Sequence, residues 1–121
     1  MEFTSSRKRM SILVHDPRDH RYKLYVKGAD SEIAKRLKPD GQDLDILKAV
    51  EKFTDTSSDQ GLRTLYFAMR VLDEDEVQKF HVKVEIAEQN FLQKDEKLEH
   101  VFSDLESGLT LLGATAVEDR L

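Results

Sequence analysis

Four side chains from separate segments of this 121-residue sequence have the chemistry to hold a nucleotide. They are Phe3, Lys8, Lys27 and Arg63. A nucleotide needs an aromatic surface for its base and dispersed cations for its phosphates. Each residue also has an ordinary interpretation, because apolar residues at strand ends and surface lysines are common. The four therefore indicate nucleotide binding only if the fold brings them to one cleft.

Other catalytic chemistry has little support in the sequence. The absence of cysteine excludes thiolate catalysis and cysteine-ligated metals. The four histidines lie apart without an H-E-x-x-H motif, and we expect His81 and His100 on helix surfaces. The G-x-S-x-G, P-loop and G-x-G-x-x-G motifs are also missing. We therefore expect no catalytic residue and no metal ligand in this chain.

The composition limits the classes of partner. Hydrophobic residues make up 39% of the chain and charged residues 36%, as in a globular domain. No stretch is long and apolar enough for a membrane span, and the N-terminus lacks the pattern of a signal peptide. The net charge of -5 argues against nucleic acid as a partner. The run Arg7-Lys8-Arg9 is predicted to be solvated, and nucleic-acid binding through it is a minor alternative.

Three strands are expected before the last helices, and one after them. Branched and aromatic residues predict strands over 10–14 and 22–27, joined by the turn-forming segment 15–20. Alternation places Lys23, Tyr25 and Lys27 on the face opposite Leu24 and Val26. A third strand over 62–70 is apolar on both faces and should lie centrally in the sheet. A buried final strand is expected over 108–113.

Helical patterns fill the remaining segments. A short helix capped by Asp30 or Ser31 should run to about Leu37, and a second should begin near Asp43 and end at the polar segment 54–61. The third has a capping box at Asp73 and is expected to continue to Phe91, and the fourth spans 94–106 before Gly108. The pattern predicts one α+β domain, an antiparallel sheet flanked by helices.

Four strings, in this order, carry a family resemblance. They are EFTSSRKRMS at 2–11, KGAD at 27–30, GLRTL at 61–65 and LLGATAVEDRL at 111–121. Together they resemble the nucleotide-binding domain of P-type ATPases, and the first and last resemble the type IV subfamily, the phospholipid flippases. The resemblance spans nearly the whole chain. It implies an antiparallel sheet with helices and a site for ATP and Mg²⁺.

The resemblance also implies roles for individual residues. The adenine would stack on Phe3, with Lys8 and Met10 at its border. Lys27 would line the inner end of the pocket, within the K-G-A string that includes Gly28 and Ala29, and Arg63 would reach the phosphates. Gly28 would allow a close approach of the backbone. The nucleotide-binding set implied by the resemblance is Phe3, Lys8, Met10, Lys27, Gly28, Ala29 and Arg63.

The family's D-K-T-G string, with its phosphate-accepting aspartate, does not occur in this sequence. The resemblance therefore implies the later part of a nucleotide-binding domain, with 109–121 as a return strand and hinge toward a phosphorylation domain. The parent would be an integral membrane protein, with this domain on its cytoplasmic side and phospholipid as its transported substrate. Two alternatives remain: a protein-interaction module that uses an open sheet edge, and the nucleotide-binding domain of a cation-transporting P-type ATPase.

Overall fold

The fold is built on a four-stranded antiparallel sheet, and the computed structural model describes residues 1–118. The strands are β1 (Arg9–Asp16), β2 (Arg21–Ala29), β3 (Arg63–Leu72) and β4 (Thr110–Val117), in the spatial order β1-β2-β3-β4. The helices are α1 (Asp30–Ala34), α2 (Leu44–Asp59), α3 (Glu74–Glu88) and α4 (Lys94–Leu105). The expected α+β class and the central position of β3 are confirmed.

The core lies on one face of the sheet. Leu24 and Val26 of β2 and Ala68 of β3 are almost completely buried there. The same cluster includes Ile33 of α1, Val77 of α3 and Leu105 of α4, and α2 joins it through a hydrogen bond of 2.8 Å between Thr54 Oγ1 and Tyr66 Oη. Within residues 1–118 the helices thus cover one face, and the other face stays open.

Two helix ends differ from the sequence prediction. The polar segment after Phe53 was expected to end α2, but the helix continues to Asp59. The hydroxyls of Thr54 and Thr56 donate to carbonyls one turn earlier, so polar residues are accommodated in the helix. Helix α1 ends at Ala34 rather than near Leu37, and its N-cap is Ala29 rather than the predicted Asp30 or Ser31.

The bounds of the third helix and of the final strand also differ from the sequence prediction. Helix α3 begins with the expected capping box between Asp73 and Glu76. It ends at Glu88, before Phe91, whose side chain is 99% exposed because the chain has already turned away from the core. The final strand begins at Thr110 and extends to Val117, pairing with β3 well beyond the predicted segment. Residues 119–121, the last part of the expected return strand and hinge, lie outside the described residues.

Candidate functional site

The open face of the sheet holds an apolar cavity of about 310 Å³. Cross-strand pairing sets Met10 of β1 opposite Lys27 of β2, and Lys27 opposite Phe67 of β3. The next row pairs Ile12 with Tyr25. The residues that line the cavity are Met10, Ser11, Ile12, Tyr25, Val26, Lys27, Phe67, Ala68 and Leu112. Adjacent strands thus bring apolar and aromatic side chains from distant parts of the sequence to one concave surface.

Two predicted site residues line this cavity. Met10 and Lys27 are direct partners across β1 and β2, and Lys27 is the only charged residue among those that line the cavity in the described chain. The prediction that Lys27 points away from the hydrophobic core is confirmed, since its side chain is exposed while Val26 is buried. A single cation beside an apolar cavity suits a ligand with an apolar ring and an anionic group.

Gly28 lies where two backbone segments come close together. A Cβ at this position would be 2.5 Å from the Lys8 carbonyl oxygen and 2.8 Å from Arg9 Cβ. The same carbonyl accepts a hydrogen bond of 3.0 Å from the Ala29 amide. The absence of a side chain at Gly28 therefore lets two backbone segments pack closely, which fixes Lys8 beside the K-G-A string. The role of Gly28 at a nucleotide stays a prediction.

Phe3 and Arg63 lie at the ends of their segments. Phe3 precedes β1 and is 51% exposed, and Arg63 is the exposed first residue of β3, opposite Val117. Among residues 1–118, the set that lines the cavity contains neither of them, nor Lys8, Gly28 or Ala29. The convergence of Phe3, Lys27 and Arg63 on a single cleft stays a prediction.

The rest of the cavity wall consists of residues whose types alone do not indicate a nucleotide site. Tyr25, Phe67 and Ile12 line the cavity, and none of them belongs to the predicted nucleotide-binding set. Alternation in β2 had already placed Tyr25 beside Lys27, and the same alternation applied to β3 would have found Phe67. Leu112 gave no such signal, because it is the extra residue between the pairs Phe67–Gly113 and Ala68–Leu111, where the register of β3 and β4 shifts.

The basic run at 7–9 is not a solvated charge cluster, so that prediction is wrong. Arg7 and Arg9 are 7% and 2% exposed, whereas Lys8 between them is exposed. The fully buried Glu106 accepts from Arg7 Nη2 at 2.7 Å and from Arg9 Nε at 3.2 Å. Since both arginines are used inside the fold, the minor alternative of nucleic-acid binding through this run loses two of its three cations.

A second carboxylate completes this pairing. Glu99 accepts from Arg7 Nη1 at 3.0 Å and from Arg9 Nη2. Burial alone would raise the pKa of Glu99, but the hydrogen bonds from Arg9 and Arg7 outweigh it and lower the pKa. Burial opposes the charge of Arg7 in the same way, but its pKa is raised because Glu106 and Glu99 stabilise the cation. Helix α4 is thereby tied to the segment that leads into β1.

A family model described as the cytoplasmic N domain of P-type ATPases matches residues 1–121 of this chain. The chain belongs to that family. The N domain is 45% identical to Phospholipid-transporting ATPase dnf2 of Schizosaccharomyces pombe over 121 residues, and 44% identical to Phospholipid-transporting ATPase DNF1 of Chaetomium thermophilum. It is 39% identical to Phospholipid-transporting ATPase IC of Xenopus tropicalis. These matches confirm the resemblance to the phospholipid-transporting subfamily.

The N domain is matched over its whole length, but it corresponds to only a small part of each relative. All of its residues are matched, and they span 8% of the length of the two fungal proteins and 9% of the Xenopus protein. Within residues 1–118, no helix of the N domain has the length and apolar character to cross a membrane.

Proposed function

We propose that this N domain binds ATP on the open face of its sheet, with the adenine against the apolar cavity. The observation that carries the proposal is the position of Lys27, a single cation among Met10, Phe67 and other apolar lining residues. An apolar cavity with one well-placed charged group is typical of small-ligand sites. Tyr25 and Phe67 add aromatic surface on which a purine can stack.

The remaining predicted residues extend the site beyond the cavity. Phe3 would stack on the exposed side of the base, and Lys8 and Arg63 would offset charge on the phosphates. Gly28 and Ala29 would hold the backbone of Lys8 at this edge, where the 3.0 Å hydrogen bond from Ala29 already fixes it. These roles rest on the family resemblance, and for Lys8 also on the contact of its backbone with Gly28 and Ala29.

Mg²⁺ would accompany the nucleotide and neutralise charge on its phosphates. No carboxylate is among the residues that line the cavity in the described chain. The cavity therefore fits the base of Mg-ATP rather than its metal ion. The metal would be held mainly by the phosphates and by a neighbouring phosphorylation domain.

In the parent protein, we infer, the N domain presents ATP to an aspartate on the phosphorylation domain. Its contribution to phosphoryl transfer would be positioning, because none of its own residues attacks the phosphate. The parent would be an integral membrane ATPase with transmembrane domains, with this N domain on the cytoplasmic side and phospholipid as transported substrate. The names of the relatives favour a phospholipid over a cation as the transported species.

A protein-interaction role remains a second candidate, because β1 and β4 are the outer strands of the described sheet. The edge of β1 is partly occupied, since the Ser11 amide donates to the Met1 carbonyl oxygen at 2.9 Å. Gln42 likewise accepts from the Leu111 amide at the start of β4. Sedimentation that depends on protein concentration and not on ATP would favour this second function.

The ATP proposal is tested by titrating the ¹⁵N-labelled chain with Mg-ATP and following amide chemical shifts. We expect shifts at Met10, Lys27 and Phe67, and Lys27→Ala should weaken binding at least about tenfold because the one cation among the described lining residues is lost. Lys23→Ala is the matched control. Lys23 lies on the same face of β2 but pairs with Asp16 and Asp19, so its loss should leave ATP affinity unchanged.

Two results would count against ATP binding. One is a spectrum of the chain without substitutions, called the parent chain from here on, that does not change at millimolar Mg-ATP. The other is an equal loss of affinity in Lys27→Ala and Lys23→Ala, which would mean that general surface charge, not the cavity, attracts the nucleotide.

A further inference from the structure

The pairing of two arginines with two glutamates has a consequence for the proposed site. Arg7 and Arg9 flank Lys8, and both guanidinium groups bond to the same two carboxylates on and just after α4, Glu99 and Glu106. Both arginines are buried, and the side chain of Lys8 between them is exposed.

The backbone at Lys8 adopts a conformation that needs outside support. Its φ angle is +56°, in the left-handed region that non-glycine residues rarely occupy. The Lys8 amide donates to the Thr4 carbonyl oxygen at 2.7 Å, and the Lys8 carbonyl oxygen accepts from Ala29. Fixed arginines on both sides hold this turn in place.

The same pairing reaches the segment that carries Phe3. Arg7 Nε donates to the Glu2 carbonyl oxygen at 3.0 Å, and the Arg7 amide donates to Thr4 Oγ1 at 3.1 Å. The residues on both sides of Phe3 are thus hydrogen-bonded to Arg7. Arg7 is in turn held by Glu106, whose side chain is completely buried.

We propose that Glu106, assisted by Glu99, is a positioning residue for nucleotide binding: through Arg7 and Arg9 it fixes the segment that carries Phe3 and Lys8, next to the K-G-A string. This inference rests on the proposed function. Glu106 does not touch the ligand. It acts by keeping the segment 2–9 in one conformation, so that ATP binding does not have to order that segment.

The test compares ATP affinity and local order in the parent chain, Glu106→Gln and Glu99→Gln. Glutamine keeps the shape of Glu106 but turns an amide N–H group toward an arginine donor, so one hydrogen bond is lost together with the charge. If only a tenth of Glu106→Gln molecules keep the segment ordered, the Kd for ATP rises about tenfold. Glu99→Gln should raise the Kd only about threefold, because the Glu99 side chain is 40% exposed and its loss disturbs the segment less. Affinities are measured where circular dichroism shows each variant fully folded.

The matched control is Glu76→Gln. Glu76 pairs with Arg70 at 2.6 Å, away from the segment 2–9, so its loss should lower thermal stability and leave ATP affinity unchanged. A second measurement, ¹⁵N relaxation of amides 2–8, should show increased fast motion in Glu106→Gln and not in Glu76→Gln. A purely structural role for Glu106 would lower stability without either of these changes.

The outcomes separate the two proposals. A folded Glu106→Gln chain that binds ATP with parental affinity overturns the positioning role, while Lys27→Ala still tests the site itself. If Glu106→Gln does not fold, Glu99→Gln decides by the same criterion. If the parent chain binds no ATP, the proposed function fails, and unchanged motion of amides 2–8 in the variants then overturns the positioning role as well.

Discussion

Neighbouring residues of one basic run have different environments in this N domain. Arg7 and Arg9 are buried against Glu106 and Glu99, and Lys8 is exposed. Removing one member of a buried ion pair leaves an uncompensated charge, which is strongly destabilising. The run therefore contributes to the internal structure through its arginines and offers only Lys8 to a ligand.

Gly28 gives a prediction at the scale of a single residue. In Gly28→Ala the new Cβ would lie 2.5 Å from the Lys8 carbonyl oxygen, so β1 and β2 must separate locally. We expect the free energy of unfolding to fall by about 1–3 kcal/mol, as in other overpacked sites. Urea denaturation followed by circular dichroism measures it.

Gly113→Ala is the control for that substitution. A Cβ on Gly113 meets no atom within 4 Å, so its stability should stay within about 0.5 kcal/mol of the parent. Equal stability of the two variants would show that the contact with Lys8 does not require glycine.

At the scale of elements, the β1–β2 hairpin is closed by a cluster of charges around Asp16. Arg18 and Lys23 both donate to the Asp16 carboxylate, each at 2.9 Å, and Lys23 also pairs with Asp19 at 2.9 Å. Hydrogen bonds from Arg18 first, and then from Lys23, hold the pKa of Asp16 well below its ordinary value of 3.8. The cluster fixes the end of the hairpin that is farthest from Lys27, on the same face of the sheet.

This cluster predicts how stability depends on pH. Because the folded-state pKa of Asp16 lies below the unfolded value of 3.8, its contribution is complete above that pH and is lost as the pH falls through the lower folded value. Asp16→Asn should therefore lose less stability than the parent between pH 5 and about pH 2. Thermal melts across this range measure the difference. Asp55→Asn, an exposed change on α2, controls for net charge, and identical slopes for Asp16→Asn and the parent would contradict the prediction.

At the scale of the whole molecule, the helices cover one face of the sheet in residues 1–118 and the cavity lies on the other. This division separates the residues that hold the fold from those that would bind the nucleotide. Along β2, Leu24 and Val26 face the core, whereas the alternate residues Tyr25 and Lys27 face the cavity. Substitutions on the open face should therefore change binding more than stability.

We expect the isolated chain to bind Mg-ATP without hydrolysing it. ATP at ten times its Kd stabilises the folded state by about 1.4 kcal/mol, which corresponds to a rise in Tm of about 5 °C for a domain of this size. Differential scanning calorimetry should show this rise for the parent and little for Lys27→Ala. Phosphate release should equal that of a protein-free blank, because the D-K-T-G string, to which the family resemblance assigns the phosphate-accepting aspartate, does not occur in this sequence. Faster release would contradict the positioning role proposed for the domain.

Local patterns in the sequence were sufficient for most of the fold. Branched and aromatic residues on both sides of a turn-forming segment predicted the hairpin, and alternation predicted the outward position of Lys27. The capping box at Asp73 predicted the start of α3. These features depend on residues close together in the chain, so their chemistry can be recognised without a structure. The four motif strings also identified the family, which the family model confirms.

The tertiary structure decided what depends on contacts between distant segments. The burial of Arg7 and Arg9 follows from Glu106, which is about one hundred residues away and gives no local signal. The cavity wall likewise combines Ile12, Tyr25 and Phe67 from three strands, and its last member, Leu112, depends on a register shift. A sequence fixes the face of each strand through its period of two, but only strand pairing and helix docking determine which charges meet and which side chains enclose a cavity.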